Sequence, residues 1–142
     1  MSTARDILIR KGNEIWAIEP QESILQAIEK MATKEVGALL VMQADKLVGI
    51  ITERDYARKV ALEGRSSRDS EVRDIMSTNV LCARPEQTVQ ECMALMSDKR
   101  ARHLPVVEQN KVIGLISIGD LVMSIINEQQ HEIENLQYYI NH

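Results

Sequence analysis

The strongest constraint on this chain is that it is written twice. The stretch LVGIITERD, Leu47 to Asp55, returns as VIGLISIGD, Val112 to Asp120. Setting Pro20 against Pro85 fixes an offset of 65 residues. Without a gap, that offset pairs Ile24 with Val89, Ala27 with Cys92, Met31 with Met96 and Leu39 with Leu104. It continues through Val41 with Val106, Gly49 with Gly114, Ile51 with Ile116, Thr52 with Ser117 and Asp55 with Asp120. Apolar, glycine, hydroxyl and acidic positions all keep register, so the chain is a duplication and must fold as two like units.

Each copy reads β-α-β-β-α. A short strand (Glu14 to Ile18; Asn79 to Ala83) stops near Pro20 or Pro85, which has no N–H for a ladder. An amphipathic helix follows, with apolar residues at 24, 27, 28, 31 and at 89, 92, 93, 96, one stripe on a 3.6-residue period. Two strands come next, Val36 to Met42 with Leu47 to Thr52, and Leu104 to Val107 with Val112 to Ser117. They are joined by QADK and EQNK, where Asp45 and Asn110 suit a turn. A second helix starts after Thr52 or Ser117. Matching lead-ins, ARDILI (Ala4 to Ile9) and VRDIMS (Val72 to Ser77), precede the copies and are expected to form a short helix or turn.

The polar stretch EGRSSRDSE, Glu63 to Glu71, has no apolar period and reads as surface chain. The expected division is repeat 1 with its lead-in helix over 1–64, a linker over 65–71, repeat 2 over 72–127 and a helical extension over 128–142. One copy of roughly 60 residues buries only a marginal core. The two are therefore expected to cover each other as an α/β (α+β) pseudo-twofold disc with an inter-repeat cleft.

Composition narrows the function classes. Apolar residues make up 44% of the chain but aromatics only 3%, with no Phe, so the core is aliphatic. A net charge of −4 argues against a general nucleic-acid or membrane-surface binder, which would carry a basic field. No apolar run reaches membrane-spanning length, and MSTARDILIRKG lacks a signal-peptide core, so a cytoplasmic location is expected. Cys82 and Cys92 sit in apolar patterns and read as free thiols.

The repeated stretch carries the chemistry. Thr52 stands where a strand runs into a helix, and a helix N-terminus attracts phosphate through its unpaired N–H groups. The Thr52 hydroxyl can add a hydrogen bond to such an anion, Arg54 a charged fork, and the Asp55 carboxylate can accept from ribose hydroxyls. Ser117 and Asp120 repeat the pattern, but Gly119 stands where Arg54 does, so the half-sites are chemically unequal. The same residues also spell an ordinary helix cap, and both readings stand. Arg102 and His103 open a middle strand of repeat 2 where repeat 1 has Gly37 and Ala38. They read as a phosphate- or ribose-facing pair, or as a solvated strand end. No second His or Cys lies at metal-ligand spacing from His103.

Together, LVGIITERD and RHLPVVEQNKVIGLISIGD resemble a tandem of cystathionine-β-synthase-type (CBS) domains, a Bateman module, of the stand-alone kind. The resemblance runs from ARDIL to the helix after Asp120. It implies a pair that binds an adenine nucleotide (AMP, ADP, ATP, NAD or S-adenosylmethionine) in the cleft and changes the conformation or assembly of a partner. Carried over, the hydroxyl-x-x-Asp motif falls on Thr52 with Asp55 and on Ser117 with Asp120. The phosphate-facing basic positions fall on Arg54, Arg102 and His103, and the base would rest against Trp16, Leu81, Ala38 and Pro105. With Gly119 in place of an arginine, the half-site at Asp120 is expected to take its positive charge from Arg102 or His103.

After Asp120 the chain runs LVMSIINEQQHEIENLQYYINH. Val122, Ile126, Ile133, Leu136 and Ile140 fall close to a heptad stripe, with Gln129 at the intervening seam position. This predicts a long terminal helix that pairs a homodimer, with Tyr138 and Tyr139 at the contact, or folds back on its own domain. No GxxxxGK[ST], HExxH or nucleophile–base spacing is present. The expected function is a non-catalytic adenine-nucleotide sensor acting on an unknown protein in trans. The alternatives are a nucleotide-free docking scaffold and a nucleotide-processing enzyme.

Overall fold

The computed structural model describes residues 2–141. Its elements, in chain order, are α1 (Ala4–Lys11), β1 (Ala17–Ile18), α2 (Ile24–Lys34), β2 (Ala38–Gln43) and β3 (Lys46–Thr52). Then come α3 (Glu53–Tyr56), α4 (Val89–Lys99), β4 (His103–Glu108), β5 (Lys111–Ser117) and α5 (Ile118–Asn141). Helix and strand are mixed as an α+β fold, and the chain divides into two compact units.

One unit comprises Glu14–Val80 with Gln109–Val112. Its sheet has the order β1-β2-β3, with β1 parallel to β2 and β2 antiparallel to β3. Ala38 lies opposite Thr52 and Leu40 opposite Ile50, with a register shift between Val41 and Met42. Helix α2 buries Ile24, Ala27 and Met31, the stripe its spacing predicts, against Leu39, Val41 and Ile51. The other unit comprises Met1–Asn13, Leu81–Glu108 and Ile113–His142. There α4 buries Val89, Cys92 and Met96 against Leu104, Val106 and Ile116. Cys82 and Cys92 form no disulfide, and burial pushes the pKa values of both thiols up.

Several elements depart from the sequence expectation. The first strand of repeat 1 shrinks to Ala17–Ile18, and Asn79 to Ala83 forms no strand. In the latter, Ala83 alone bridges Val106, its N–H donating to the Pro105 carbonyl at 2.8 Å and its carbonyl accepting from Val107 at 2.9 Å. These are edge segments paired on one side, and each must turn at its proline to feed a helix. The second helices are also unequal: α3 is a single turn that continues as a π-helical turn over Ala57–Ala61, whereas α5 has 24 residues. In the first hairpin the left-handed backbone falls on Ala44 (φ 54°), while in the second both Gln109 and Asn110 adopt it.

The lead-ins do more than introduce their own copies. Helix α1 precedes repeat 1 in sequence but packs in the unit of repeat 2, where Ala4, Ile7 and Leu8 join the core. Val72 and Ile75 of the other lead-in, part of which is a 3-10 turn at Val72–Asp74, are buried in the unit of repeat 1. The Ser70 carbonyl accepts from the Ile24 N–H at 3.0 Å, and the Ser2 carbonyl accepts from the Val89 N–H at 3.0 Å. Each satisfies a donor that a helix start leaves open. Each lead-in also covers a strand glycine. A side chain at Gly114 would meet Leu8 Cδ2 at 2.5 Å, and one at Gly49 would meet Met76 Sδ at 2.7 Å and the Ser77 carbonyl oxygen at 2.9 Å. The glycines in the repeated GII and GLI stretches therefore admit a close approach.

Candidate functional site

In repeat 1, β3 delivers Thr52 to the start of α3. The Asp55 N–H donates to Thr52 Oγ1 at 3.1 Å, and Asp55 Oδ2 accepts from the Thr52 N–H at 3.0 Å and hydroxyl at 3.1 Å. This is a complete capping box. Lys59 Nζ stands 3.5 Å from Asp55 Oδ1 and donates to the Ile75 carbonyl at 3.0 Å. The Gly37 carbonyl accepts from the Glu53 N–H at 3.1 Å, and Ala38 is the register partner of Thr52. Gly37, Ala38, Thr52 and Asp55 are thus brought together, with Arg54 exposed in the same turn. Trp16 is half-buried against the core, and Lys34 Nζ lies 4.5 Å from its ring centroid.

Repeat 2 builds the same box from Ser117 and Asp120. The Ser117 N–H donates to Asp120 Oδ2 at 2.8 Å, and the Asp120 N–H donates to Ser117 Oγ at 3.2 Å. The Arg102 carbonyl accepts from the Ile118 N–H at 2.9 Å, as Gly37 does in the first copy. Arg102 is exposed, His103 half-buried, Pro105 buried, and Leu81 packs partly against the core. Gly119 is exposed, and a side chain there would meet only Ser117 Oγ, at 3.6 Å.

The cation beside Asp120 is one the repeat alignment did not reach. Lys11, at the end of α1, donates to Asp120 Oδ2 at 2.7 Å and to the Leu115 carbonyl at 2.9 Å. A positive charge beside Asp120 comes from the lead-in helix, because α1 packs in the unit of repeat 2. Burial alone would raise the Asp120 pKa, but the hydrogen bonds and charge of Lys11 and the bonds from Ser117 outweigh it and hold the carboxyl below its ordinary value. Both half-sites therefore hold a carboxylate in a helix cap beside a lysine that also binds a main-chain carbonyl. The lysines come from unrelated positions. Lys59 could have been found from its i, i+4 spacing to Asp55; nothing in the sequence marks Lys11.

A groove of about 190 Å³ opens beside Asp120, lined also by Ile7, Arg10, Lys11, Met123, Ser124 and Asn127. Arg10 Nη2 donates to the hydroxyl of buried Ser124 at 3.2 Å. The groove pairs two cations with hydroxyl and amide groups, a lining that suits an anion carrying a sugar. A larger one of about 490 Å³ lies by Glu19, Glu22, Lys30 and Met42, near the far end of β2 from Ala38. It includes none of the expected residues, and its two glutamates oppose phosphate. Chemistry, not volume, favours the smaller groove.

Two copies of one α+β unit, each closing a strand on a hydroxyl-x-x-Asp helix start, define a tandem-repeat module. The family model for the CBS domain matches residues 4–62 and again 72–127, so the chain belongs to the CBS domain family. It is 37% identical over 98% of its length to the Arabidopsis thaliana CBS domain-containing protein CBSX3, mitochondrial, covering 72% of that protein. A protein with CBS domains from Burkholderia ambifaria MC40-6 is 49% identical, with a TM-score of 0.87 across 90% of this chain and 96% of that one. The CBS domain pair of protein MJ0100, solved in complex with 5′-methylthioadenosine and S-adenosyl-L-methionine, shares the fold at 24% identity and a TM-score of 0.79. The match covers 90% of this chain and 98% of that pair. Among the described residues, no helix is long and apolar enough to cross a membrane.

Proposed function

We propose that this chain is a non-catalytic sensor that binds an adenine nucleotide (AMP, ADP, ATP or NAD) at its two hydroxyl-x-x-Asp half-sites. The observation that carries the reading is the Asp120 site. The Ser117 N–H and Lys11 both donate to Oδ2, which leaves Oδ1 facing a ribose hydroxyl on this reading, with Arg10 and Lys11 beside it for phosphate. The adenosyl ligands of the MJ0100 pair support the same ligand class. On this reading Arg54 and Lys59 serve repeat 1, Arg102 and His103 join the cationic set, and Trp16, Ala38, Leu81 and Pro105 supply apolar surface for the base. The sensor works in the cytoplasm as a homodimer and acts on a separate protein.

Denaturing the purified protein and identifying released nucleotide by mass spectrometry, with thermal shifts against AMP, ATP and NAD, tests this directly. A ligand at 100 times its Kd should stabilise the fold by about 2.7 kcal/mol. Gly119→Arg, for which the backbone leaves room, should enlarge the shift by adding a cation at the position that matches Arg54 of repeat 1. No released nucleotide and no shift with any of the three would leave the docking-scaffold reading. Steady product formation would favour an enzyme.

A further inference from the structure

We infer that α5 pairs with α5 of a second copy as a parallel, in-register coiled coil whose single polar layer, Gln129, fixes the orientation. This deepens the homodimer reading above and rests on it. The inner side of α5 is occupied by its own unit: Leu121 and Ser124 are buried, Ile125 packs on the core, and Glu128 accepts from the Ser2 N–H at 2.7 Å. The adjoining side is open. Val122, Ile126, Ile133, Leu136 and Ile140 are between 42% and 81% exposed, an apolar stripe about 27 Å long. A stripe of this length, interrupted only by Gln129, marks an interaction face rather than scattered surface residues.

Its spacing, 122-126-129-133-136-140, alternates four and three, the heptad seam that a second helix of the same kind fits. The a positions are Ile126, Ile133 and Ile140, and the d positions Val122, Gln129 and Leu136. Isoleucine at all three a positions, with Leu136 at one d position, favours two strands over three or four in a parallel coil. Gln129 decides between orientations. In a parallel pair in register it meets the partner's Gln129, and the two amides can bond each other. In an antiparallel pair each d residue faces an a residue, so both glutamines would lie unpaired against isoleucine. The flanks agree, since among Met123, Ile125, Gln130, Glu132, Gln137 and Tyr139 there is one charge, and Glu132 would face the partner's Gln137.

Leu136→Cys in a Cys82→Ser background tests the pairing. In register, the two thiols meet across a d layer and should give nearly complete disulfide-linked dimer on mild oxidation. An antiparallel pair would set Leu136 opposite the partner's Ile126 and hold the thiols about 15 Å apart. Ile133→Asp should give a folded monomer by light scattering, with the nucleotide thermal shift of the parent. A dimer that does not cross-link overturns the parallel pairing and leaves self-association standing. A parent protein that is monomeric at micromolar concentration overturns both, while the nucleotide reading is judged separately by released ligand.

Discussion

Gly49→Ala should lower stability by about 2 kcal/mol, within the usual cost of overpacking, whereas Gly114→Ala should cost less. The asymmetry follows from what each new side chain would strike. At Gly49 the obstacles are Met76 and the Ser77 carbonyl oxygen. That carbonyl accepts from the Ile50 N–H at 3.0 Å, and the Ser77 N–H donates back to Ile50 at 2.9 Å. Relieving the clash therefore breaks a reciprocal backbone pair and lifts the lead-in from its sheet. At Gly114 the three nearest atoms all belong to the Leu8 side chain, which can rotate at the expense of some packing. Urea midpoints of the two variants measure the difference. Equal losses would mean that backbone pairing at Ser77 contributes nothing.

Asp120→Ala leaves the backbone bond to Ser117 Oγ but removes the acceptor of the Ser117 N–H and of Lys11; it is expected to cost about 1 kcal/mol and to weaken nucleotide binding at least tenfold (about 1.4 kcal/mol). Asp120→Asn separates the roles. The amide oxygen can still accept from Ser117, so the cap survives, but the charge facing Lys11 is gone. Its acid sensitivity should change accordingly. The folded state holds Asp120 below its ordinary value of 3.8, so its contribution is complete above that pH and fades as pH falls through the folded value. Unfolding midpoints at pH 6 and pH 3 should therefore converge in Asp120→Asn relative to the parent. Nucleotide affinity that survives Asp120→Ala intact would reduce this carboxylate to a cap.

Much of the fold was legible because its signals are local. Helical stripes such as Ile24-Ala27-Met31 depend only on a 3.6-residue period, and Thr52-x-x-Asp55 spells its cap within four residues. The hydroxyl-x-x-Asp boxes were legible as chemistry too, but in a sequence a cap and a ligand site are written alike. The geometry places both carboxylates in caps and a lysine beside each, a neighbour that no repeat alignment supplies. Asn79 to Ala83 forms no strand although its apolar letters suit one, because at a sheet edge the single bridge of Ala83 to Val106 is enough.

What the sequence determined by itself is the duplication, the order of elements in each copy and the apolar faces they bury, since these follow from periodicity and near neighbours along the chain. Which unit each lead-in joins was decided only in three dimensions, and with it came the pairing of Lys11 with Asp120 across more than a hundred residues. Contacts of that kind depend on which apolar surface a segment covers, and a glycine reveals nothing in sequence about the side chain that will lie over it.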